Sequence, residues 1–302
     1  MQINTYGAID IGSNAIRLII TDVYTLPQKT QFKKISLVRV PVRLGEDVFK
    51  NGYIKDKRLK NLIDALKGYY YLLKAYNVET YRACATSAMR EARNNEEIVS
   101  KVFKKTGIKI EIISGEEEAD LIQSGGIAND VMNYHRNYIY VDVGGGSTEI
   151  IQYSNHQKLN ARSFKIGTVR ILSNAVDPEI KGDMLLWLSQ ITTGYDNPVI
   201  IGSGGNINSF QKIINNKAGK PISITKLKEI EDYISKLSYD DRIGINMSLQ
   251  RAEVIVPALE IFIDIMDTVK SEELIVPKLG LGDGIIRQLH QKNVDFLLKG
   301  EN

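Results

Sequence analysis

The chain has 302 residues, 43% hydrophobic and 25% charged, ordinary values for a globular protein with a sizeable core, and its length suits two domains. A formal net charge of +3 is too mild to argue for nucleic-acid binding, and no apolar run is long enough to span a bilayer. MQINTYGAIDIGSN lacks the basic start and cleavage site of a signal peptide, and the single cysteine, Cys84, cannot close an internal disulfide, so the expectation is a cytoplasmic protein away from membranes.

In chain order, residues 6–24 (YGAIDIGSNAIRLIITDVY) read as a strand ending near Asp10, a Gly/Ser/Asn turn and a second strand. A helix is expected over 56–76. The lysines and arginines of residues 50–67 are either its wet face or a track for a polyanion. ETYRACAT reads as a strand leading into a helix that starts at SAMREARN, and NNEEIVSKVFKKTG as a helix. KIEIIS then reads as a strand and GEEEADLIQSGGIAND as a helix. GGIANDVMNYHRN breaks the pattern and places a domain boundary near 125–137, giving domains over 1–128 and 129–302.

Residues 138–153 (YIYVDVGGGSTEIIQY) then repeat the opening pattern. GTVRILSNA, MLLWLSQITTG, ITKLKEIEDYISKLS and RAEVIVPALEIFIDIMDTVK read as helices. PVIIGSGGNINSFQKII and ELIVPKLGLGDGIIRQLHQKN each read as strand, glycine loop, helix. The last helix, about 285–300, is free to pack back on the first domain.

The internal echo decides the fold class. A P-loop or a Rossmann glycine loop leads from a strand into a helix. Here Ile-, Val- and Thr-rich segments follow the glycines, so each loop belongs to a β-hairpin, with Asp10 and Asp142 at the same offset. Two such halves facing each other make one cleft with two loops and two carboxylates. That is the layout of a pair of actin-like ATPase (ribonuclease H-like) α/β domains.

Several residues stand out chemically. Gly12, Ser13 and Asn14 offer backbone N–H groups and a hydroxyl for phosphate oxygens. Gly144, Gly145, Gly146 and Ser147 form a second such loop, whose glycines fit a close ligand approach. Asp10 and Asp142 are hard oxygen ligands suited to Mg²⁺. In Ser114-Gly115-Glu116-Glu117-Glu118, Ser114 and Glu117 make a capping box and Glu116 suits the helix dipole, which leaves Glu118 without a local task. Arg90 at an expected helix start implies a nearby anion, a phosphate or an acidic side chain. Arg17 and Arg93 either contact an anion or cover the surface with their stems. His135, His156 and His290 show no metal-ligand spacing, and no G-x-S-x-G elbow is present.

AIDIGSNAIRL, ATSAMREARN, IISGEEEADLI, VDVGGGSTEI and IGSGGNI, in this order over nearly the whole chain, resemble the motifs of the exopolyphosphatase / guanosine-pentaphosphate phosphohydrolase family. The resemblance implies Glu118 as catalytic base and Glu149 as its partner in positioning water or metal. It implies phosphate contacts from Arg90 and both glycine loops, with Mg²⁺ near Asp10, Asp142 and Glu149. Gly202, Gly204 and Gly205 match glycines that touch a nucleoside in related ATPases. The chain departs from the family in having Gly282-Asp283 before Gly284, and in carrying Glu253 where Asp is usual. It also has no segment matching the helical C-terminal domain of long members, which implies a two-domain form that prefers short substrates.

The expected function is release of the terminal phosphate of inorganic polyphosphate. The nearest rival is the same chemistry on guanosine pentaphosphate. An actin-fold small-molecule kinase and a non-catalytic alarmone-binding regulator are the other readings. A homodimer is compatible with all of them.

Overall fold

A computed structural model of the chain describes residues 2–126, 131–133, 136–245 and 247–300. The chain divides into two compact units, Met1–Gly126 with Leu281–Asn302, and Ile127–Gly280. The boundary expected at 128/129 falls on residues outside the described ones. Among the described residues no helix is long and apolar enough to cross a membrane.

The first unit opens with β1 (Gln2–Ile11), β2 (Ile16–Leu26) and β3 (Lys29–Val40), followed by α1 (Leu44–Asn51) and α2 (Asp56–Ala75). β4 (Thr80–Ala85), α3 (Ser87–Glu91), α4 (Asn95–Thr106), β5 (Ile110–Ile112) and α5 (Gly115–Ser124) follow. The sheet order is β3-β2-β1-β4-β5, with β1 antiparallel to β2 and parallel to β4. α2 buries Leu59, Leu62, Ile63, Leu66, Tyr69 and Leu73, spaced at three and four residues, in the same core as Ile9, Ile11, Ile16 and Leu18 of the hairpin. The Tyr69 hydroxyl donates to the carbonyls of Ile16 and Val38, both at 3.0 Å, and so ties α2 to two strands.

The second unit repeats this plan. β6 (Asn137–Val143), β7 (Thr148–Ser154) and β8 (Gln157–Phe164) precede α6 (Thr168–Leu172) and α7 (Pro178–Ile191). β9 (Val199–Ser203), α8 (Gly205–Ile213), β10 (Ile222–Ser223), α9 (Ile224–Lys236), α10 (Tyr239–Gly244), α11 (Leu249–Thr268) and β11 (Glu273–Ile275) complete it. Its sheet runs β10-β11-β9-β6-β7-β8, with β6 antiparallel to β7 and parallel to β9. α11 buries ten residues, from Ala252 to Met266, and its near-continuous apolar run reflects a helix sunk in the core.

The last helix, α12 (Leu281–Gly300), belongs to the first unit. It packs on α5 and β1, where Gly284 lies against the Leu121 carbonyl and Asn293 donates to the Tyr6 hydroxyl at 2.8 Å. The edge strands β3 and β8, the short β10 and helices α1 and α10 carry no signal that the sequence pattern made legible.

Candidate functional site

The two hairpins have one geometry. Asp10 pairs with Arg17 across β1 and β2, and Asp142 pairs with Glu149 across β6 and β7. In both loops the first glycine closes the turn, Gly12 N–H donating to the Ala15 carbonyl at 3.2 Å and Gly144 N–H to the Ser147 carbonyl at 2.9 Å. Asp10 is also register partner of Cys84 in β4, and Asp142 of Ser203 in β9.

In the first unit, the loop is held from outside by the start of α1. Gly45 N–H donates to the Ser13 carbonyl at 2.8 Å and Arg43 N–H to the Asn14 carbonyl at 2.9 Å. A Cβ on Gly45 would lie 3.0 Å from Ser13 Cβ and 2.6 Å from the Phe49 ring, so a side chain there would press on the loop and displace that ring. Neither residue stood out in the sequence, where the signal was the lone glycine of VRLGED. Asp10 is ion-paired to Arg17 at 3.1 Å. Burial raises the Asp10 pKa, while the Arg17 charge and hydrogen bond oppose that shift.

Glu118 is buried on α5, and Arg90 reaches it at 3.5 Å while donating to the Ile113 carbonyl at 2.7 Å. Arg90 does not sit at a helix start that disfavours a cation. α3 ends at Glu91, so Arg90 lies in its last turn, where the helix dipole favours a cation. The anion beside it is the Glu118 carboxylate, which gives Glu118 the local partner that the sequence did not show. The capping box is half made. Ser114 accepts from Glu117 N–H at 3.0 Å, but the Glu117 carboxylate turns to Arg82 at 2.6 Å, which also holds Glu111 at 2.8 Å. Arg93 donates to the carbonyls of Asn51 at 2.7 Å and Gly52 at 3.4 Å, a backbone clamp.

In the second unit, the glycine loop is tied down by the start of α6. The Gly144 carbonyl accepts from Thr168 N–H, and the Gly145 carbonyl from Val169 and Arg170 N–H. The Gly146 carbonyl accepts from Arg170 Nε at 2.8 Å. A Cβ on Gly167 would lie 2.5 Å from Gly146 N and 2.6 Å from the Gly145 carbonyl, a close approach that sequence reading missed. Glu149 is buried, and its Oε1 accepts from Ser147 Oγ at 2.6 Å and Ser163 Oγ at 2.9 Å. Asp142 Oδ2 accepts from Ser203 Oγ at 3.0 Å. Two carboxylates therefore stand opposite each other, each supplied with hydroxyl donors.

The third glycine group splits. Gly204 has φ of 102°, a left-handed backbone that a side chain rarely adopts, and a Cβ there would lie 2.8 Å from the Val143 carbonyl. A Cβ on Gly205 would meet the Arg251 guanidinium. Gly202 is buried against Leu274, Phe262 and Ile207, so the structure explains that glycine by core packing rather than by a ligand.

The family model described as the Ppx/GppA phosphatase family matches residues 25–184. The chain is 37% identical over 168 residues to a bifunctional 3-dehydroquinate synthase/phosphatase of Fusobacterium nucleatum, covering 54% of this chain and 25% of that protein. It is 26% identical over 300 residues to a guanosine-5'-triphosphate,3'-diphosphate pyrophosphatase of Vibrio cholerae, covering 95% of this chain and 59% of that protein. The chain thus spans a quarter and about three fifths of the lengths of these two relatives. The crystal structure of the Aquifex aeolicus member of the Ppx/GppA family superposes with a TM-score of 0.75 at 24% identity, over 97% of this chain and 99% of that one. With the family model matched over more than half its length and its whole described fold shared with a solved member, this chain belongs to the Ppx/GppA phosphatase family.

Proposed function

We propose that the chain is a phosphohydrolase that releases the terminal phosphate of inorganic polyphosphate by attack of water. The observation that carries this reading is the second hairpin. Its glycine loop is anchored through three successive carbonyls beside the Asp142–Glu149 carboxylate pair. A loop fixed by its carbonyls keeps its N–H groups preorganised for phosphate oxygens, which is how charge on a transferring phosphoryl group is stabilised. Glu118, buried and held by Arg90, takes the proton of the attacking water. Ser13 and Asn14 hold phosphate from the first unit, in a turn that the Gly12 N–H closes, and Arg90 adds positive charge.

The donor set fits Mg²⁺. Like charges directly opposite in an antiparallel pair are unfavourable, and Asp142 and Glu149 occupy that relation with oxygen donors only. Among the described residues no cluster of three or more His, Cys, Asp or Glu side chains exists. Asp142 and Glu149 would hold such a cation, whose remaining ligands would be water and substrate phosphates, as is common for Mg²⁺. When bound it neutralises phosphate charge. Asp10, already paired with Arg17, is the weaker of the expected ligands.

Guanosine pentaphosphate is the second reading, favoured by the Vibrio cholerae relative that covers 95% of this chain. The reading also includes a cytoplasmic location and allows a homodimer. The test is phosphate release by the purified chain with Mg²⁺ from tripolyphosphate, long polyphosphate and guanosine pentaphosphate in parallel, with Glu118→Gln as control. Release from tripolyphosphate or long polyphosphate that exceeds release from the nucleotide supports the first reading. Release from none of the three, or only with ATP and an acceptor, overturns the hydrolase.

A further inference from the structure

The first sheet carries a charge that its architecture does not require. Arg17 on β2 and Arg39 on β3 are register partners, so both side chains leave the same face, directly opposite each other. Like charges in that relation destabilise a strand pair. Arg17 is compensated by Asp10 at 3.1 Å. Among the described residues no carboxylate pairs with Arg39, and its Nε is buried without a hydrogen-bond partner. Burial, together with the charges of Arg17 and Arg43, lowers the Arg39 pKa. The nearest acidic group along the chain, Glu46, is engaged by Arg43 at 2.8 Å and also by Arg58.

The second unit supplies an internal comparison. The row Cys84, Asp10, Arg17, Arg39 across β4, β1, β2 and β3 corresponds to Ser203, Asp142, Glu149, Ser163 across β9, β6, β7 and β8. At the position of Arg39 the second unit has Ser163, a neutral donor that satisfies its neighbour Glu149 at 2.9 Å. The same place in the same fold therefore works with a small hydroxyl. In the first unit it holds a second guanidinium, set against the first, with an unused donor.

We propose that Arg39, together with Arg17, forms an anion subsite of the first unit that holds a phosphate group of the substrate other than the one released. The proposal rests on the phosphohydrolase reading and extends it by naming where the rest of a polyanion is gripped. A phosphate oxygen between two guanidiniums turns their repulsion into two charge-assisted hydrogen bonds. The opposing account is that the Arg39 stem merely covers the sheet. The two accounts differ in the sign of the stability change when the charge is removed.

The test uses the full chain with inorganic tripolyphosphate as probe, binding being measured by calorimetry. Arg39→Gln is expected to weaken tripolyphosphate binding by about 10-fold or more, the scale of a lost charge-assisted contact. It raises KM by a similar factor, with a smaller change in kcat. Arg39→Lys restores part of the affinity. Without anion, Arg39→Gln melts above the natural chain by a few degrees, and tripolyphosphate at saturation closes that gap. Unchanged binding in Arg39→Gln, a lower melting point without anion, or no tripolyphosphate binding by the natural chain would overturn the subsite. Arg39-dependent binding without phosphate release from any substrate would uphold the subsite and overturn the hydrolase reading alone.

Discussion

Glu149 lies directly opposite Asp142 across the β6–β7 hairpin, whereas the matching place in the β1–β2 hairpin puts Arg17 opposite Asp10. One fold thus presents an acid–acid pair in one unit and an acid–base pair in the other. Asp10 and Arg17 neutralise each other at 3.1 Å. Asp142 and Glu149 are held apart in role by different hydroxyls, Ser203 on the first, Ser147 and Ser163 on the second. On our reading a cation complements the second pair, whereas Arg17 already balances Asp10 in the first.

Glu149→Gln should therefore weaken Mg²⁺ activation by at least about 10-fold, since losing even a partner behind a metal ligand costs about that much. Without metal it should not destabilise the chain, because the repulsion with Asp142 is relieved. Mg²⁺ titrations of phosphate release, paired with thermal melts in chelator, check both halves. Unaltered Mg²⁺ dependence would remove Glu149 from the metal site.

The neighbouring glutamates of α5 should separate cleanly. Glu118→Gln is expected to lower kcat by 10² to 10⁴, about the contribution of a general base, while leaving substrate binding largely intact. Glu117→Gln should leave kcat near the natural value. Its carboxylate, 43% exposed, serves Arg82 rather than the expected chemistry, and an ion pair with so exposed a partner contributes about 1 kcal/mol. Single-turnover rates and substrate binding, measured on both variants, decide it. A dead Glu117→Gln would transfer the base to that residue.

How much of this was legible in sequence depends on whether the signal was local. The paired Asp–glycine hairpins were legible because period-two β-branched runs and turn residues are adjacent in the chain. Edge strand β3 was not. KTQFKKISLVRV exposes or half-exposes every position, so no alternation marks a buried face. Arg39 could not be singled out before the register set it opposite Arg17. Arg43, Gly45 and Gly167 act on loops more than 20 residues away, by hydrogen bonds or by the space a Cβ would fill, and single-sequence patterns carry neither. Arg90 shows the converse: the polarity at its position depends on where a five-residue helix ends, and the local sequence does not mark that end.

His290 on α12 sets a pH dependence. Its ring packs edge-on against Tyr6 and Phe32, with centroids at 6.0 and 5.7 Å, and its buried Nδ1 has no hydrogen-bond partner. Burial lowers its pKa below the ordinary 6.5. A depressed folded-state pKa means that the stability from the neutral ring is fully present above pH 6.5 and is lost as pH falls through the lower folded value. Urea midpoints at pH 7.5 and pH 5 should therefore drop more for the natural chain than for His290→Gln. Equal drops would show that carboxylates elsewhere account for the acid side.

The single thiol offers a probe of the first unit. Cys84 is fully buried in β4 beside Asp10, and burial pushes its pKa up to about 12. A thiol kept protonated and out of solvent is inert, because the thiolate is the nucleophile. Ellman's reagent at pH 8 should find almost no reactive thiol in the native chain and one equivalent in denaturant. Rapid native labelling would mean that β4 opens far more readily than a core strand should.

Two glycines with opposite surroundings test whether the second loop is held in place by α6. Gly167 has extended backbone that any residue adopts, so a substitution there is limited by space alone. Its added Cβ would sit 2.5 Å from Gly146 N and 2.6 Å from the carbonyl carbon and oxygen of Gly145, all backbone of the second glycine loop. Neither side can rotate away, so Gly167→Ala must shift the loop by several tenths of an ångström or more. Misplacing preorganised donors costs up to roughly 10²-fold in rate as the shift approaches about 1 Å. Gly182 lies inside α7 with nothing within 4 Å of an added Cβ. Gly182→Ala should stabilise the chain by about 0.5–1 kcal/mol through helix propensity and leave the rate unchanged. The pair therefore predicts a kcat/KM loss confined to Gly167→Ala, with a stability gain confined to Gly182→Ala. Natural activity in Gly167→Ala would mean that the loop does not need the position α6 gives it, and the phosphate role of Gly144–Ser147 would fall with it.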